Sequence, residues 1–315
     1  MPVQNLQTVD GFVVRDFADS PSSGIIRRGR KILQRSATDL ARSATYAFAF
    51  HGIHRGGASG GLNAEGDDEG PALVALMAEL RDELVSGRLE LLPAKGIDGN
   101  ELTEAMRAAS EGVGDSAETP ALDFQDRADV LTDGVLAATS WALGGRIDGQ
   151  RVFVEGDLGD PIHQALTAAV AEAGATVVEP KVVEGKPWTV WATEADAMLV
   201  GSRPGAMNHQ GAELLNVAAV VPWAPLPITT KALAVMIGRD ITYVPDFVSA
   251  SGPLVADHLA GPGADRETRL SEAVQEALRA LDTGEDPLFI AACHRAEGFL
   301  ASWQDELPFG RPLAG

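Results

Sequence analysis

The residues whose side chains could best take part in catalysis or binding lie in a glycine-rich segment, residues 45–62. His54 could act there as a general acid or base near neutral pH, because a free imidazole titrates in that range. Arg55 could bind a carboxylate or phosphate through paired hydrogen bonds. Ser59 follows between small residues. The alternative remains open that His54 is a satisfied loop histidine, Arg55 a surface or interdomain ion pair, and Ser59 a small residue in a tight loop.

Other kinds of catalytic site have little support in the sequence. His51 and His54 have no acidic partner at ligand spacing on the same element, so we predict no metal site. No nucleophile–base–acid order stands out, and no Gly-x-Ser-x-Gly occurs as a strand–turn–helix element. Cys293 is the one cysteine of the chain, which excludes an intrachain disulfide and a cysteine-based metal cluster. Its helical surroundings favour a buried structural role.

The elements that must position these residues fall into two parts. In the first part, extended segments at residues 11–17 and 25–28 are predicted to form a hairpin. A helix with a face of apolar and small residues is predicted over 37–50, and a glycine-rich loop over 52–61. From residue 150 onward, short apolar strands alternate with helices. This alternation predicts a parallel α/β sheet.

Length and charge narrow the class of protein. A chain of 315 residues predicts about two domains. The 45 acidic residues exceed the 25 basic ones, and a net charge of −20 argues against nucleic acid or an anionic membrane as a partner. We find no uncharged apolar run long enough to span a bilayer and no export signal at the N-terminus, so we expect a cytoplasmic location.

Four motifs in matching order and spacing resemble the glutamate/leucine/phenylalanine/valine dehydrogenases. The glycine-rich segment is similar to the family's substrate loop, which reads approximately T-Y-K and then G-G-x-K. Residues 147–156 are similar to the strand that opens the family's dinucleotide domain, and residues 196–208 to its D-I-x-x-P-C-A-L segment. Residues 243–252, YVPDFVSASG, resemble the P-D-x-x-x-N-A-G-G signature, which is the most distinctive of these motifs.

The resemblance implies an architecture and an assembly. It implies an N-terminal dimerisation and substrate domain at residues 1–130 and a Rossmann-like domain at 131–260. Helices at 261–315 are then expected to pack back across the cleft between them. The family analogy also implies a homodimer or larger homo-oligomer, a small-molecule ligand in the cleft, and NAD(P) as the cofactor of the ancestral reaction.

The family's catalytic residues are not present at the matching positions. Ala47 and Ser59 stand where the resemblance implies the substrate-binding and catalytic lysines. Gly96 stands where it implies the proton-transferring aspartate, and Asp98 lies two residues further on. We therefore take His54, Ser59 and Asp98 as candidate catalytic residues. The candidate substrate-binding residues are Arg55, Lys95 and Arg203, with the alternative that Arg203 only forms a surface or interdomain ion pair.

The dinucleotide loop also departs from the family pattern G-x-G-x-x-G. Gly156 and Gly159 are the remaining candidate cofactor-binding residues, while Leu158 and Pro161 occupy the second and third glycine positions. A Cβ at the second position obstructs the approach of a pyrophosphate. Asp160 is predicted to cap the following helix, and its carboxylate would then occupy the position of a phosphate. We therefore expect no ordinary NAD(P) binding, although the family resemblance allows it.

Three functional hypotheses follow from these residues. In the first, the protein is a repurposed member of this fold that binds a small carboxylate-bearing molecule in the interdomain cleft, with or without transforming that molecule. It does not carry out NAD-dependent oxidative deamination. In the second, a divergent NAD(P)-dependent oxidoreductase uses His54 or Asp98 in place of the lysine. In the third, the protein is a non-catalytic dimeric scaffold or regulator with a closed or filled cleft.

Overall fold

The computed structural model describes residues 1–110, 124–260, 265–281, 286–305 and 307. The sequence predicts an exposed loop or a hinge at the polar residues 111–126, which fall mainly outside these ranges. Within them the chain forms an N-terminal α/β domain and a second domain built on a parallel sheet, as the sequence predicts. The predicted domain limits near residues 130 and 260 stay a prediction, and one helix (Phe124–Ala142) runs across the first of them.

The first sheet has five strands. They are β1 (Val3–Asn5), β2 (Gly11–Arg15), β3 (Ser22–Gly29), β4 (Gly56–Asn63) and β5 (Leu89–Pro93). Their order is β1-β2-β4-β3-β5, with β4 antiparallel to β2 and parallel to β3. The predicted hairpin between residues 11–17 and 25–28 is therefore wrong, because β4 lies between the two strands.

The glycine-rich segment forms β4, so the loop predicted at residues 52–61 is wrong over most of its length. Close packing explains why the strand needs glycine. A Cβ on Gly57 would lie 1.8 Å from the Ala41 carbonyl oxygen, and one on Gly24 would lie 1.6 Å from the Ala58 oxygen. The backbone of α1 (Gln34–Phe50) thus packs directly on the sheet, and the Thr45 hydroxyl accepts a hydrogen bond from the Gly57 N–H at 2.9 Å.

Two further helices complete the first domain. They are α2 (Glu69–Val85) and α3 (Gly99–Ser110). A short 3₁₀ helix, Gly66–Asp68, precedes α2. Leucines of α2 pack with residues of the first sheet to form the core on the face opposite α1. The sheet is therefore covered on both faces.

The second sheet is parallel throughout. Its strands are β6 (Arg151–Val154), β7 (Thr176–Val177), β8 (Ala197–Val200), β9 (Ala219–Pro222) and β10 (Thr242–Tyr243). Their order is β10-β9-β8-β6-β7. The chain first adds β7 on one side of β6 and then adds β8, β9 and β10 on the other side, so the strand order reverses between β6 and β8. All four residues of β8 and of β9 are buried, as expected for strands with both faces covered. In doubly wound sheets of this kind, the reversal point marks the ligand-binding crevice.

Helices surround this sheet and connect it to the first domain. They are α4 (Phe124–Ala142), α5 (Pro161–Glu172), α6 (His209–Leu214), α7 (Thr230–Gly238), α8 (Asp246–Ser249), α9 (Gly252–Ala260), α10 (Arg266–Leu281) and α11 (Leu288–Leu300), with a 3₁₀ helix at Pro187–Ala192. As predicted, the C-terminal helices pack back across the cleft: the Tyr46 hydroxyl on α1 donates to Glu297 on α11 at 2.8 Å. No helix within the described ranges is long and apolar enough to cross a membrane.

Candidate functional site

A cavity of about 210 Å³ lies between the two domains. Helix α1 and strands β3 to β5 form one wall, while α4, α8, α9 and the chain after β9 form the other. The lining is almost entirely apolar. It includes Gly24, Ile25, Leu40, Ala44, Ala47, Ala58, Leu92, Ala94, Leu131, Ile162, Trp223, Ala224, Pro225, Phe247, Ala250, Pro253 and Leu254. A ligand held here must therefore present mostly apolar surface.

Arg127 is the cation of this cavity. It lies near the start of α4, and its Nε atom is buried without a hydrogen-bond partner among the described residues. Burial lowers the pKa of Arg127 to about 10, which still leaves the guanidinium charged at neutral pH. A buried N–H donor without a partner is unfavourable, and a carboxylate or phosphate oxygen would relieve this cost through a charge-assisted hydrogen bond. Arg127 is thus the group of the cavity wall that suits an anionic ligand atom.

Asp246 is an acidic residue in the wall of the same cavity. It is 1% exposed, and its Oδ2 atom accepts hydrogen bonds from the Ser43 hydroxyl at 3.1 Å and the Leu226 N–H at 2.9 Å. Burial raises the pKa of this carboxyl to about 6. Because Ser43 belongs to α1 and Asp246 to α8, the carboxylate connects the two domains at the wall of the cavity. It also holds Leu226, whose φ of 58° is unusual for a residue with a Cβ.

His51 and Ser251 form a second contact between the domains. The Nε2 atom of His51 lies 3.3 Å from the Ser251 hydroxyl, which in turn donates to the Val248 carbonyl at 2.8 Å. Burial, aided by the nearby positive charge of Arg295, lowers the pKa of His51 to about 3. His51 is therefore neutral at physiological pH. This geometry suits an orienting hydrogen bond better than proton transfer.

The crevice at the reversal point of the second sheet is filled by the chain itself. The Glu155 carboxylate after β6 accepts hydrogen bonds from the N–H groups of Gly201 at 3.1 Å and Ser202 at 3.2 Å after β8. The Trp223 indole N–H donates to the Glu155 carbonyl at 2.9 Å. These contacts join the carboxyl ends of β6, β8 and β9, where a dinucleotide lies in doubly wound sheets.

The start of α5 is closed to an anion as well. The Asp160 side chain accepts the Ile162 N–H at 2.8 Å, and Pro161 at the first helical position has no N–H to offer. The Gly159 N–H is bound by the Asp157 side chain at 2.9 Å. Gly156 is packed under the His163 ring, since a Cβ there would lie 2.6 Å from that ring. The residues present therefore do not fit the pyrophosphate of NAD(P).

Comparison with solved structures identifies the fold. The chain superposes on the leucine-bound hetero-hexameric glutamate dehydrogenase of Thermus thermophilus with a TM-score of 0.73 at 22% identity, covering 91% of this chain and 82% of the other. It matches the L-tryptophan dehydrogenase of Nostoc punctiforme with a TM-score of 0.68 at 19% identity, covering 96% and 95%. The chain has the amino-acid dehydrogenase fold. The glutamate dehydrogenase of Plasmodium falciparum matches as well, with a TM-score of 0.71, 15% identity and coverage of 92% and 77%.

No protein-family model matches the sequence, and neither does any curated protein sequence. The likeness to the amino-acid dehydrogenase fold therefore rests on three-dimensional structure at low sequence identity. Among the described residues, no group of three His, Cys, Asp or Glu side chains is placed to hold a metal ion.

The three candidate catalytic residues predicted from sequence have different surroundings in the structure. His54 is exposed, and its ring lies 4.7 Å from the Phe299 ring and 5.4 Å from the Trp303 ring. Ser59 is fully buried in β4, with no hydrogen-bond partner for its hydroxyl in the described part of the chain. Asp98 caps α3, accepting the Glu101 N–H at 2.8 Å. None of the three contributes to the cavity wall described above.

The predicted substrate-binding residues are also outside that wall. Arg55 forms an ion pair with Glu90 at 2.9 Å and donates to the Gly87 carbonyl at 3.0 Å. This agrees with the ion-pair alternative for Arg55. Lys95 and Arg203 are both exposed. The structure therefore gathers none of these cations at the cavity.

Sequence reasoning missed Arg127 and saw only part of the role of Ala47. Arg127 and Leu131 are four residues apart on α4, which puts them on one helical face, and both line the cavity. That spacing was the available signal, but a single arginine at the start of a helix is common. Ala47, which stands where the resemblance implies a substrate-binding lysine, also lines the cavity.

Proposed function

We propose that the protein binds a small, mainly apolar carboxylic acid in the cavity between its domains, and that it does so without NAD(P)-dependent oxidative deamination. The observation that carries this proposal is Arg127, whose buried Nε atom has no hydrogen-bond partner among the described residues and which lines a mainly apolar cavity. A carboxylate would satisfy the guanidinium, and the apolar body of the acid would be removed from water by the surrounding side chains.

The loss of deamination is supported by three positions at which the family chemistry needs a side chain. Ala47 and Ser59 carry no amine. Gly96 has a φ of 84°, and a Cβ there would lie 2.4 Å from the Arg28 carbonyl oxygen. A carboxylate could not be accommodated at Gly96 without moving the backbone. Together with the crevice filled by Glu155, these features favour binding over amino-acid oxidation.

Titration calorimetry with hydrocinnamate, isocaproate and hexanoate tests the proposal, with hexanamide as the uncharged control. Wild-type protein should bind the acids and not the amide. Arg127→Met should weaken acid binding about 10- to 100-fold, because it removes a charge-assisted hydrogen bond. Arg35→Met, at an exposed arginine on α1, is the matched control and should leave affinity unchanged.

Three results would overturn the proposal. Equal affinity of Arg127→Met and wild type for the acids would remove the role of Arg127, and a loss on Arg203→Met instead would restore the sequence-based candidate. Oxidation of any common amino acid by purified protein with NAD or NADP would favour the divergent oxidoreductase. Failure to bind any of the acids would favour the scaffold hypothesis.

We also propose that the protein is a homodimer or larger homo-oligomer and that it acts in the cytoplasm. One structural neighbour is described as hetero-hexameric, which motivates the first proposal. The exposed edge strand β1, where Val3 is 39% exposed, offers unpaired backbone for such a contact. Light scattering on the purified full-length chain should give at least twice the monomer mass, and a monomeric mass at micromolar concentration would contradict it.

A further inference from the structure

The indole of Trp223 lies between the interdomain cavity and the crevice of the second sheet. It is 5% exposed and is held from two sides. Its ring N–H donates to the Glu155 carbonyl at 2.9 Å, and its main-chain N–H donates to the Val200 carbonyl at 3.0 Å. The orientation of the ring is thus fixed by the ends of both β6 and β8.

On the crevice side, the indole fills space that depends on two glycines. A Cβ on Gly201 would lie 2.5 Å from the indole, and one on Gly156 would lie 2.9 Å from it. The His163 ring packs against the same indole edge-on, with 6.5 Å between ring centroids. His163 is itself held, with its Nε2 atom 3.1 Å from the Val154 carbonyl. The Trp223 and His163 rings therefore occupy the space beside Gly156 and Gly201.

On the cavity side, the same residue forms part of the ligand-facing wall. Trp223 lines the cavity together with its neighbours Ala224 and Pro225, next to Ile162 from α5. These residues close the end of the cavity that faces the second sheet. Among these residues, the Trp223 side chain also borders the crevice of the second sheet.

We propose that Trp223 acts as a built-in replacement for a cofactor ring: it closes the crevice and forms the end wall that sets how long an acid the cavity accepts. This inference rests on the proposed binding of an apolar acid. It adds that the crevice is permanently filled and that the upper limit on ligand length comes from a single side chain. Removing the indole should join the crevice to the cavity.

Trp223→Ala in the full-length protein tests both parts. Truncating a buried tryptophan leaves a large cavity, so the melting temperature should fall by about 5–10 °C. Added indole should raise the melting temperature of Trp223→Ala and not of the wild type. In calorimetric titrations with butanoate, hexanoate, octanoate and decanoate, the tightest-binding acid should be at least two carbons longer for Trp223→Ala than for the wild type.

Trp188→Ala is the matched control, because Trp188 is 54% exposed and lies away from the cavity wall. It should change neither the preferred acid nor the response to indole. Trp223→Phe provides the same comparison if the alanine variant does not fold, with a smaller shift in preferred length. An unchanged order of acids in both Trp223 variants would overturn the end-wall role while leaving acid binding itself established.

The failure of this inference is distinguishable from failure of the proposed function. If Arg127→Met abolishes acid binding and Trp223→Ala leaves the length preference unchanged, the anion site stands and the end wall does not. If no acid binds to wild type or variant, the proposed function and the end wall both fail. The response to indole then tests by itself whether Trp223 fills the crevice. A rise in the melting temperature of Trp223→Ala on adding indole supports this role, and no rise overturns it.

Discussion

Replacing Asp246 with asparagine should stabilise the protein at neutral and alkaline pH. Burial raises the pKa of Asp246 from 3.8 to about 6. A raised carboxyl pKa means that the folded state binds the proton more tightly than the unfolded state. The contribution of Asp246 to the free energy of unfolding is fully present below pH 3.8 and is lost as the pH rises through about 6. A difference of about two pKa units corresponds to about 3 kcal/mol of unfolding free energy.

Asparagine is close in shape to the protonated aspartic acid. Its carbonyl oxygen can still accept the hydrogen bonds from Ser43 and Leu226 that Asp246 now accepts. Urea unfolding at pH 4, 5, 6, 7 and 8 should therefore show Asp246→Asn gaining on wild type as the pH rises, by about 2–3 kcal/mol at pH 8. The difference should nearly vanish at pH 4. Titration of all other groups is common to both proteins and cancels in this comparison.

Asp82→Asn is the control, since the Asp82 side chain is 93% exposed and should contribute little at any pH. Two results would refute the reasoning. If Asp246→Asn were less stable than wild type at pH 8, the ionised carboxylate would be stabilising through its hydrogen bonds. If the difference did not change with pH, Asp246 would titrate at its ordinary value and the burial argument would be wrong.

Three further predictions concern single contacts. Ser59→Ala should leave stability unchanged or raise it by about 1 kcal/mol in urea unfolding, because it removes a buried hydroxyl that lacks a partner in the described chain; a clear loss would indicate an unseen hydrogen bond. Glu90→Gln should cost about 0.5–1 kcal/mol, because Arg55 would lose its ion pair with this 40% exposed side chain and His258 its carboxylate neighbour; an unchanged urea midpoint would contradict this. In urea unfolding, the stability of His51→Gln should fall less steeply below pH 6.5 than that of the wild type. The reason is that neutral His51, with its depressed pKa, contributes stability above pH 6.5 and loses that contribution as the pH falls toward 3. The same pH dependence of stability in both proteins would show that His51 titrates normally.

The parallel sheet was predictable because its strands carry their own signal. Buried parallel strands appear as short apolar runs, and β8 and β9 are such runs. Strand β4 has no comparable signal, because four of its eight residues are glycine. Its place in the sheet depends on the approach of the α1 backbone to Gly57, a contact between segments that the local sequence does not encode. The hairpin prediction failed for the same reason.

The candidate site was predictable only in outline. The motif comparison correctly marked Ala47 as a position facing the cleft, and it marked the altered loop after Gly156. It could not find Arg127, because the importance of that residue comes from a buried Nε atom without a hydrogen-bond partner in the described part of the chain, which only the packed structure reveals. The role of Trp223 is likewise absent from the local sequence. That its ring fills a crevice depends on Gly156 and Gly201, which follow two other strands, β6 and β8.

The return of α11 onto α1 has a consequence for synthesis of the chain. Tyr46, Phe48 and Phe50 of α1 are at most 1% exposed in the complete fold, and Phe247 and Phe289 pack in the same core. While the ribosome is still translating residues before 288, α11 does not yet exist to cover α1. The first domain therefore emerges with an aromatic face uncovered, and during that interval it is a natural substrate for chaperones and for aggregation.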